Sequence, residues 1–167
     1  EASTSSTAAS QGAGNRRARA GGLARQDIDP ILVRALAEDR GSGDVTSETA
    51  VPATARARAV LLAKENGVLA GIEVFARVFQ LCDRTAQVEV LAQDGETIGP
   101  GRELARIVGN ARALLLAERT ALNLLQRMCG IATKTARLVG LAAGRVRVLD
   151  TRKTTPGLRV LEKHAVR

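Results

Sequence analysis

The stretch VRVLDTRKTTPGLRVLEKHAVR, residues 146–167, decides the fold class. Val146, Val148 and Leu149 read as a strand over 146–150, which gives way to the polar run Thr151-Arg152-Lys153-Thr154. Thr155 suits an N-cap and Pro156 the first helical position, where a missing N–H does no harm. Leu158, Leu161 and Ala165 then repeat along one helical face. A strand, a polar loop and a helix in that order make a β–α unit, and ligands of such units sit at the carboxyl end of the strand. Arg152 and Lys153 stand at that end, before a helix start whose free amides and dipole favour an anion. Arginine offers a planar fork for a carboxylate or phosphate, and lysine a compact charge. The residues therefore point to a small anionic ligand; a solvated basic loop closing a surface salt bridge is the competing reading.

Upstream lies ARALLLAERTALNLLQRM, residues 111–128, with the spacing of a long helix. Steps of 100° collect Arg119, Asn123, Gln126 and Arg127 in one polar arc, with Leu114, Leu115, Leu122, Leu125 and Met128 on the other side. Glu118 falls amid the leucines, where Arg112 or Arg119 is expected to pair with it. A second helix is predicted over 132–143, ended by Gly144 as a C-cap.

The first part of the chain reads as a compact α+β unit of about four strands. Asp29-Pro30 starts a helix with Ile31, Leu32, Ala35 and Leu36 on one face, broken by Gly41 and Gly43. Residues 43–52 form a polar loop. Residues 57–71 read as two strands around Glu65-Asn66-Gly67, an Asn-Gly hairpin signal. A helix over 72–82 follows, then strands at 87–92 and 103–108, with turns at Asp94-Gly95 and Gly99-Pro100-Gly101.

Composition narrows the function classes. The aromatics are Phe75 and Phe79 alone, so base stacking by aromatic rings is nearly excluded. The net charge of +8 is carried by the two ends: +3 in residues 1–26 and +5 in residues 145–167, with a neutral middle. A basic nucleic-acid binder using both ends is an alternative, but such proteins spread charge over one broad face. No nucleic-acid partner is expected. Cys82 and Cys129 lack zinc or disulfide spacing and read as buried free thiols. No segment is apolar and long enough to span a membrane. Residues 1–25 are rich in Ala, Ser, Gly and Arg and are expected to be disordered; such acid-poor starts also occur in organelle transit peptides. A cytoplasmic location is expected.

Four stretches together are more specific than any one alone: EDRGSGDVTSE (38–48), AKENGVLAG (63–71), ERTALNLLQRMCGIAT (118–133) and DTRKTTPGLRVLEKHAVR (150–167). In this order they resemble the family of nicotinate-nucleotide pyrophosphorylase (carboxylating), also called quinolinate phosphoribosyltransferase. The resemblance runs from about Asp29 to Arg167. It implies transfer of phosphoribose from phosphoribosyl pyrophosphate (PRPP) to quinolinate, giving nicotinate mononucleotide, pyrophosphate and carbon dioxide in de novo NAD biosynthesis, with Mg2+. It implies a homodimer in which Arg119 enters the neighbouring active site, and substrate contacts from Thr151, Arg152 and Lys153. Cys129 stands where a serine is commoner in the family, a nearly isosteric change.

The implied fold is an α+β, sandwich-like N-terminal domain followed by the beginning of an α/β, TIM-like barrel. The expected division is a basic tail at 1–26, an α+β domain with its linking helix at 27–128, and the first part of the barrel at 129–167. The family continues for over a hundred residues past the equivalent of Arg167, so the chain is expected to be incomplete and inactive alone. No catalytic acid or base and no metal ligand is assigned within it. His164, the sole histidine, is expected to pack or be solvated. Two alternatives stand beside this: a related phosphoribosyltransferase acting on another base, and a biotin- or lipoyl-type carrier domain using Lys64, whose hairpin tip lacks the motif of such carriers.

Overall fold

Ile72, Val74, Phe75, Ala76, Val78 and Phe79 are apolar at helical spacing, and all are buried in the computed structural model, which describes residues 22–41 and 49–167. They form the inner face of helix α2, Ile72–Cys82, at the span the sequence predicts. The Phe75 and Phe79 rings lie 5.0 Å apart and tilted by 56°, a favourable aromatic arrangement. Around α2 the other elements follow as α1 (Arg25–Arg40), β1 (Arg56–Leu62), β2 (Gly67–Val68), β3 (Gln87–Val90), β4 (Thr97–Ile98), β5 (Glu103–Asn110), α3 (Ala111–Ala142) and α4 (Arg159–Val166).

The expected α+β unit of about four strands has five among the described residues, arranged in two antiparallel sheets. One has the order β1-β5-β3 and the other pairs β2 with β4. The expected hairpin between 57 and 71 does not form. β1 pairs over its whole length with β5, from Arg56 opposite Asn110 to Leu62 opposite Glu103, with an irregularity at Leu61/Leu62. β2 instead meets β4, with Gly67 opposite Ile98 and Val68 opposite Thr97. The long partner wins because Leu61 of β1 is buried opposite Ala105, in the register in which Leu104, Ala105 and Ile107 of β5 cover the core. Lys64 lies exposed between two strands that do not pair with each other, so the carrier-type hairpin is absent.

Several helix boundaries differ from expectation. α1 begins at Arg25 and takes in the end of the expected tail, with Pro30 inside it; Ile28 and Leu32 are its buried positions. Residues 1–21, and most of the predicted polar loop at 43–52, lie outside the described residues. The two helices predicted over 111–128 and 132–143 are one helix of 32 residues, uninterrupted at Gly130. Its left-handed C-cap is Ala143, one residue before the predicted Gly144.

The strand expected over 146–150 does not form: among the described residues these positions join no ladder, and Val146 and Leu149 stand exposed. A β-strand needs a neighbour to satisfy its amides and carbonyls, and none lies beside this one among the described residues. The last helix starts three residues later than Pro156, at Arg159, with Leu158 as its uncapped N-cap. Residues 155–158 instead make a turn in which the Leu158 amide donates to the Thr155 carbonyl at 3.0 Å, and Gly157 takes a φ of +83° that suits glycine. Among the described residues, no helix is long and apolar enough to cross a membrane.

Candidate substrate-binding site

Helix α3 is the beam on which the candidate site is built. At its start the Asn110 side chain accepts from the Ala113 amide at 3.2 Å and donates to the Ala53 carbonyl at 2.7 Å. Further along, Leu114, Ala117, Ala121, Leu124, Leu125, Met128 and Ala132 are buried as its core face. Arg119, Asn123, Gln126 and Arg127 are exposed, as the predicted polar arc requires. Leu115 is also exposed, outside the predicted apolar side, and Glu118 is exposed without Arg119 as partner.

Arg119 pairs instead with Asp39 of α1, Nη1 to Oδ1 at 3.1 Å, while its side chain remains 74% exposed. Beside this pair opens a cleft of about 310 Å3 lined by Ala35, Glu38, Asp39, Thr120, Asn123 and Leu124.

The stretch after Asp150 is held by side chains. Lys163 reaches Asp150 at 2.9 Å, and Arg159 Nε donates to Thr154 Oγ1 at 3.1 Å. Arg127 donates to Glu162 Oε1 from Nε at 2.9 Å and from Nη2 at 2.5 Å, and its Nη2 also reaches Thr155 Oγ1. The other Glu162 oxygen accepts from the Thr155 amide at 3.2 Å. Burial raises the pKa of Glu162, but the hydrogen bonds from Arg127 and Thr155 outweigh it and hold the carboxyl below its ordinary range.

Thr151, Arg152 and Lys153 are all exposed. Thr151 does a backbone job, its hydroxyl accepting from the Lys153 amide at 3.1 Å. Among the described residues, no hydrogen bond or ion pair engages the Arg152 and Lys153 side chains, and none joins Arg119 to them. Arg119 lies two turns before Arg127, about 12 Å along the α3 axis by helical rise. Within one chain, therefore, the arginine and the basic loop are separate features.

The residues that place this loop were not singled out as a site by the sequence. Asp94, read only as part of a turn, is the junction. Its Oδ2 accepts from the Gly71 amide at 2.8 Å and meets His164 Nε2 at 2.8 Å, while Oδ1 accepts from the Ile72 amide at 3.0 Å. Asp94 thus caps α2 from a distant loop and ties α4 to it, which gives His164 the packing role expected of it. Burial pushes the Asp94 carboxyl up, but the bonds from His164, Ile72 and Gly71 bring it to a net lowered pKa.

A second missed contact explains the CGIAT stretch. Thr133 Oγ1 accepts from the Val68 amide at 2.9 Å, and Cys129 Sγ accepts from the Ala70 amide at 3.4 Å. Positions i and i+4 of a helix rise about 6 Å, and alternate amides of a strand are about 6.6 Å apart, so the two rows match. Leu69 faces the other way, to Glu96. The close approach needs Gly71, at φ +92°, where a Cβ would lie 2.5 Å from the Met128 sulfur.

Two family models match consecutive parts of the chain: the quinolinate phosphoribosyl transferase N-terminal domain over residues 44–129, and its C-terminal domain over residues 131–167. The chain belongs to the quinolinate phosphoribosyl transferase family. It is 47% identical over 141 residues to the probable nicotinate-nucleotide pyrophosphorylase (carboxylating) of Synechocystis sp., covering 84% of this chain and 48% of that protein. The chloroplastic nicotinate-nucleotide pyrophosphorylase (carboxylating) of Arabidopsis thaliana is 41% identical, over 84% of this chain and 40% of that protein. The chain thus spans about half the length, or less, of these curated relatives.

The fold is that of solved family members. NadC from Streptococcus pyogenes superposes with a TM-score of 0.82 at 43% identity, over 86% of this chain and 52% of that one. The nicotinate-nucleotide pyrophosphorylase of Francisella tularensis gives a TM-score of 0.80 at 32% identity, over 86% and 51%.

Proposed function

We propose that this chain supplies the quinolinate-gripping part of a phosphoribosyltransferase that makes nicotinate mononucleotide in NAD biosynthesis. The observation that carries the reading is the Arg152–Lys153 pair. Its neighbours Arg127, Arg159 and Lys163 are committed to internal partners, while these two cations stand exposed on a loop fixed beneath them. Quinolinate bears adjacent carboxylates, and a guanidinium beside an ammonium is complementary to them. In the reaction the pyridine nitrogen bonds to the anomeric carbon of PRPP and pyrophosphate departs. The carboxylate next to the nitrogen then leaves as carbon dioxide, its place taken by a proton.

Arg119, 74% exposed and paired with Asp39 of α1 rather than with its own basic loop, suits service to the site of a second subunit in a homodimer. Mg2+ belongs to this reading as the companion of the donor's phosphates. Among the described residues no group of three or more His, Cys, Asp or Glu could hold it, so no residue is assigned to it and no step is derived through it.

The test is turnover by the full-length chain with quinolinate, PRPP and magnesium, followed as carbon dioxide and nicotinate mononucleotide. Arg152→Gln and Lys153→Gln are each expected to lower kcat/KM for quinolinate about 100-fold, the loss of a charge-assisted contact of about 2–3 kcal/mol. Turnover of another base with none of quinolinate would overturn the reading in favour of a related phosphoribosyltransferase.

A further inference from the structure

We infer that Glu162 and Lys163, neighbours on α4, act together as positioning residues that set the shape of the Arg152–Lys153 loop. The inference rests on the reading of that loop as the dicarboxylate grip. The loop has two feet. The upstream foot, Asp150, is ion-paired to Lys163 at 2.9 Å. The downstream foot, Thr155, donates its amide to Glu162 at 3.2 Å, and its hydroxyl accepts from Arg127, which itself binds Glu162. Consecutive residues of one helix therefore hold both ends of the loop, and Arg152 and Lys153 are carried at its crown.

Glu162 is far more deeply buried than a carboxylate needs to be for solubility. It is 8% exposed, and with Thr120 it is one of two buried polar residues among those described. Both of its oxygens are used, and each reaches a different partner: Oε1 takes the α3 guanidinium and Oε2 the loop amide. A carboxylate can accept on both oxygens at once; an amide of the same shape cannot, because its nitrogen is a donor. Glu162→Gln would thus keep the volume and the Arg127 contact while setting a donor against the Thr155 amide. Among the described residues the backbone between the feet joins no ladder, and the side-chain contacts that fix its two ends come from this pair of residues and Arg127. Two cations meant to meet two carboxylates at fixed separation gain from such preorganisation.

The experiment uses full-length chains carrying Glu162→Gln or Lys163→Met, with steady-state kinetics against each substrate and amide hydrogen exchange over residues 150–158. The expected result is a KM for quinolinate raised about tenfold in each variant, a KM for PRPP unchanged within about twofold, and faster exchange at Thr155. A quinolinate KM that does not move, or equal losses against both substrates, overturns the inference. Lys163 is a third exposed, so Lys163→Met carries the same test should Glu162→Gln fail to fold. The two readings fail differently. If the wild-type chain turns over no quinolinate, the functional reading falls, while unchanged exchange in both variants would overturn the positioning role whatever the substrate.

Discussion

Between Arg56 and Asn110 the strands meet one another across three ladders and pack on an apolar core, with Asp94 and Asp83 binding backbone amides at its edges. Between Arg145 and Leu158 the chain joins no ladder among the described residues, and side-chain contacts hold it: Asp150 to Lys163, and Thr155 to Glu162 and Arg127. The first arrangement keeps its shape by burial, which is indifferent to salt and to moderate acid. The second keeps its shape by ion pairs, which weaken with ionic strength where exposed and with protonation throughout. A rigid apolar body thus presents a loop whose own geometry is electrostatic, a suitable division for a loop whose task is to meet an anion.

The comparison breaks if burial is not what holds the first region. Phe75 is 2% exposed and stacks against Phe79 at the centre of the core. Phe75→Ala is expected to destabilise the protein by about 3–5 kcal/mol, from lost transfer energy and the cavity left behind. Urea unfolding followed by circular dichroism would measure it, at low and high salt alike. A loss under about 1 kcal/mol would mean that the core is loosely packed and the contrast misdrawn.

Asp94 is where the two regions join, and the next largest effect is expected there. Asp94→Asn keeps the size but lowers the charge that accepts from Gly71, Ile72 and His164; a loss of about 2 kcal/mol is expected from weakened charge-assisted bonds. The pH dependence has a definite sign. Asp94 and Glu162 both titrate below their ordinary values of 3.8 and 4.5 in the folded protein, because their hydrogen-bond donors outweigh burial. Each stabilises the fold fully above its ordinary value and loses that contribution as pH falls through the lowered folded one. The wild type should therefore lose stability from about pH 4.5 downward, and Asp94→Asn should do so less steeply. Identical slopes in denaturation midpoints from pH 5.5 to 3 would remove Asp94 from the account.

Where the sequence is readable and where it is not follows from the range of the interaction. Helix α2 is legible because its six buried residues lie within eight positions and repeat at 3.6. The basic loop is legible because polar residues interrupt an apolar run. The β1–β5 ladder is not, since its pairing spans more than 40 residues while Asn66-Gly67 offers a local turn that the fold declines. Gly130 looks like a break, yet α3 continues through it, with Cys129 binding Ala70 and Thr133 binding Val68 of β2 on either side. Residues 146–150 have strand composition but find no pairing neighbour among the described residues. Glu162 reads as an ordinary helical acid, because Arg127 lies 35 residues away and the Thr155 amide carries no side-chain signal.

The helix-to-strand lock sharpens the comparison further, since it is polar yet lies within the apolar region. Thr133→Val preserves shape and removes the acceptor for the Val68 amide. The expected cost is about 1 kcal/mol, the net value of one hydrogen bond that is partly buried. Faster hydrogen exchange should be confined to Val68, with the β1–β5 ladder unaffected. A spread of fast exchange into β5 would show that the lock supports the larger sheet as well.

Cys129 is expected to show the smallest effect. Its sulfur accepts from the Ala70 amide at 3.4 Å and its S–H donates to the Ala70 carbonyl at 3.6 Å, so it pairs with both backbone groups of one residue. Burial pushes the thiol pKa up, ahead of the lowering by the Ala70 bond, and a thiol held protonated is a poor nucleophile. Labelling by a disulfide reagent at pH 8 should therefore be slower than for a free cysteine. Cys129→Ser offers the same donor and acceptor with stronger but shorter-reaching bonds, so stability should change by less than about 1 kcal/mol in either direction. The two measurements separate packing from hydrogen bonding at this position. A gain in stability with serine would mean that the hydroxyl closes the gap to Ala70, and a loss would mean that the larger sulfur is needed to fill it.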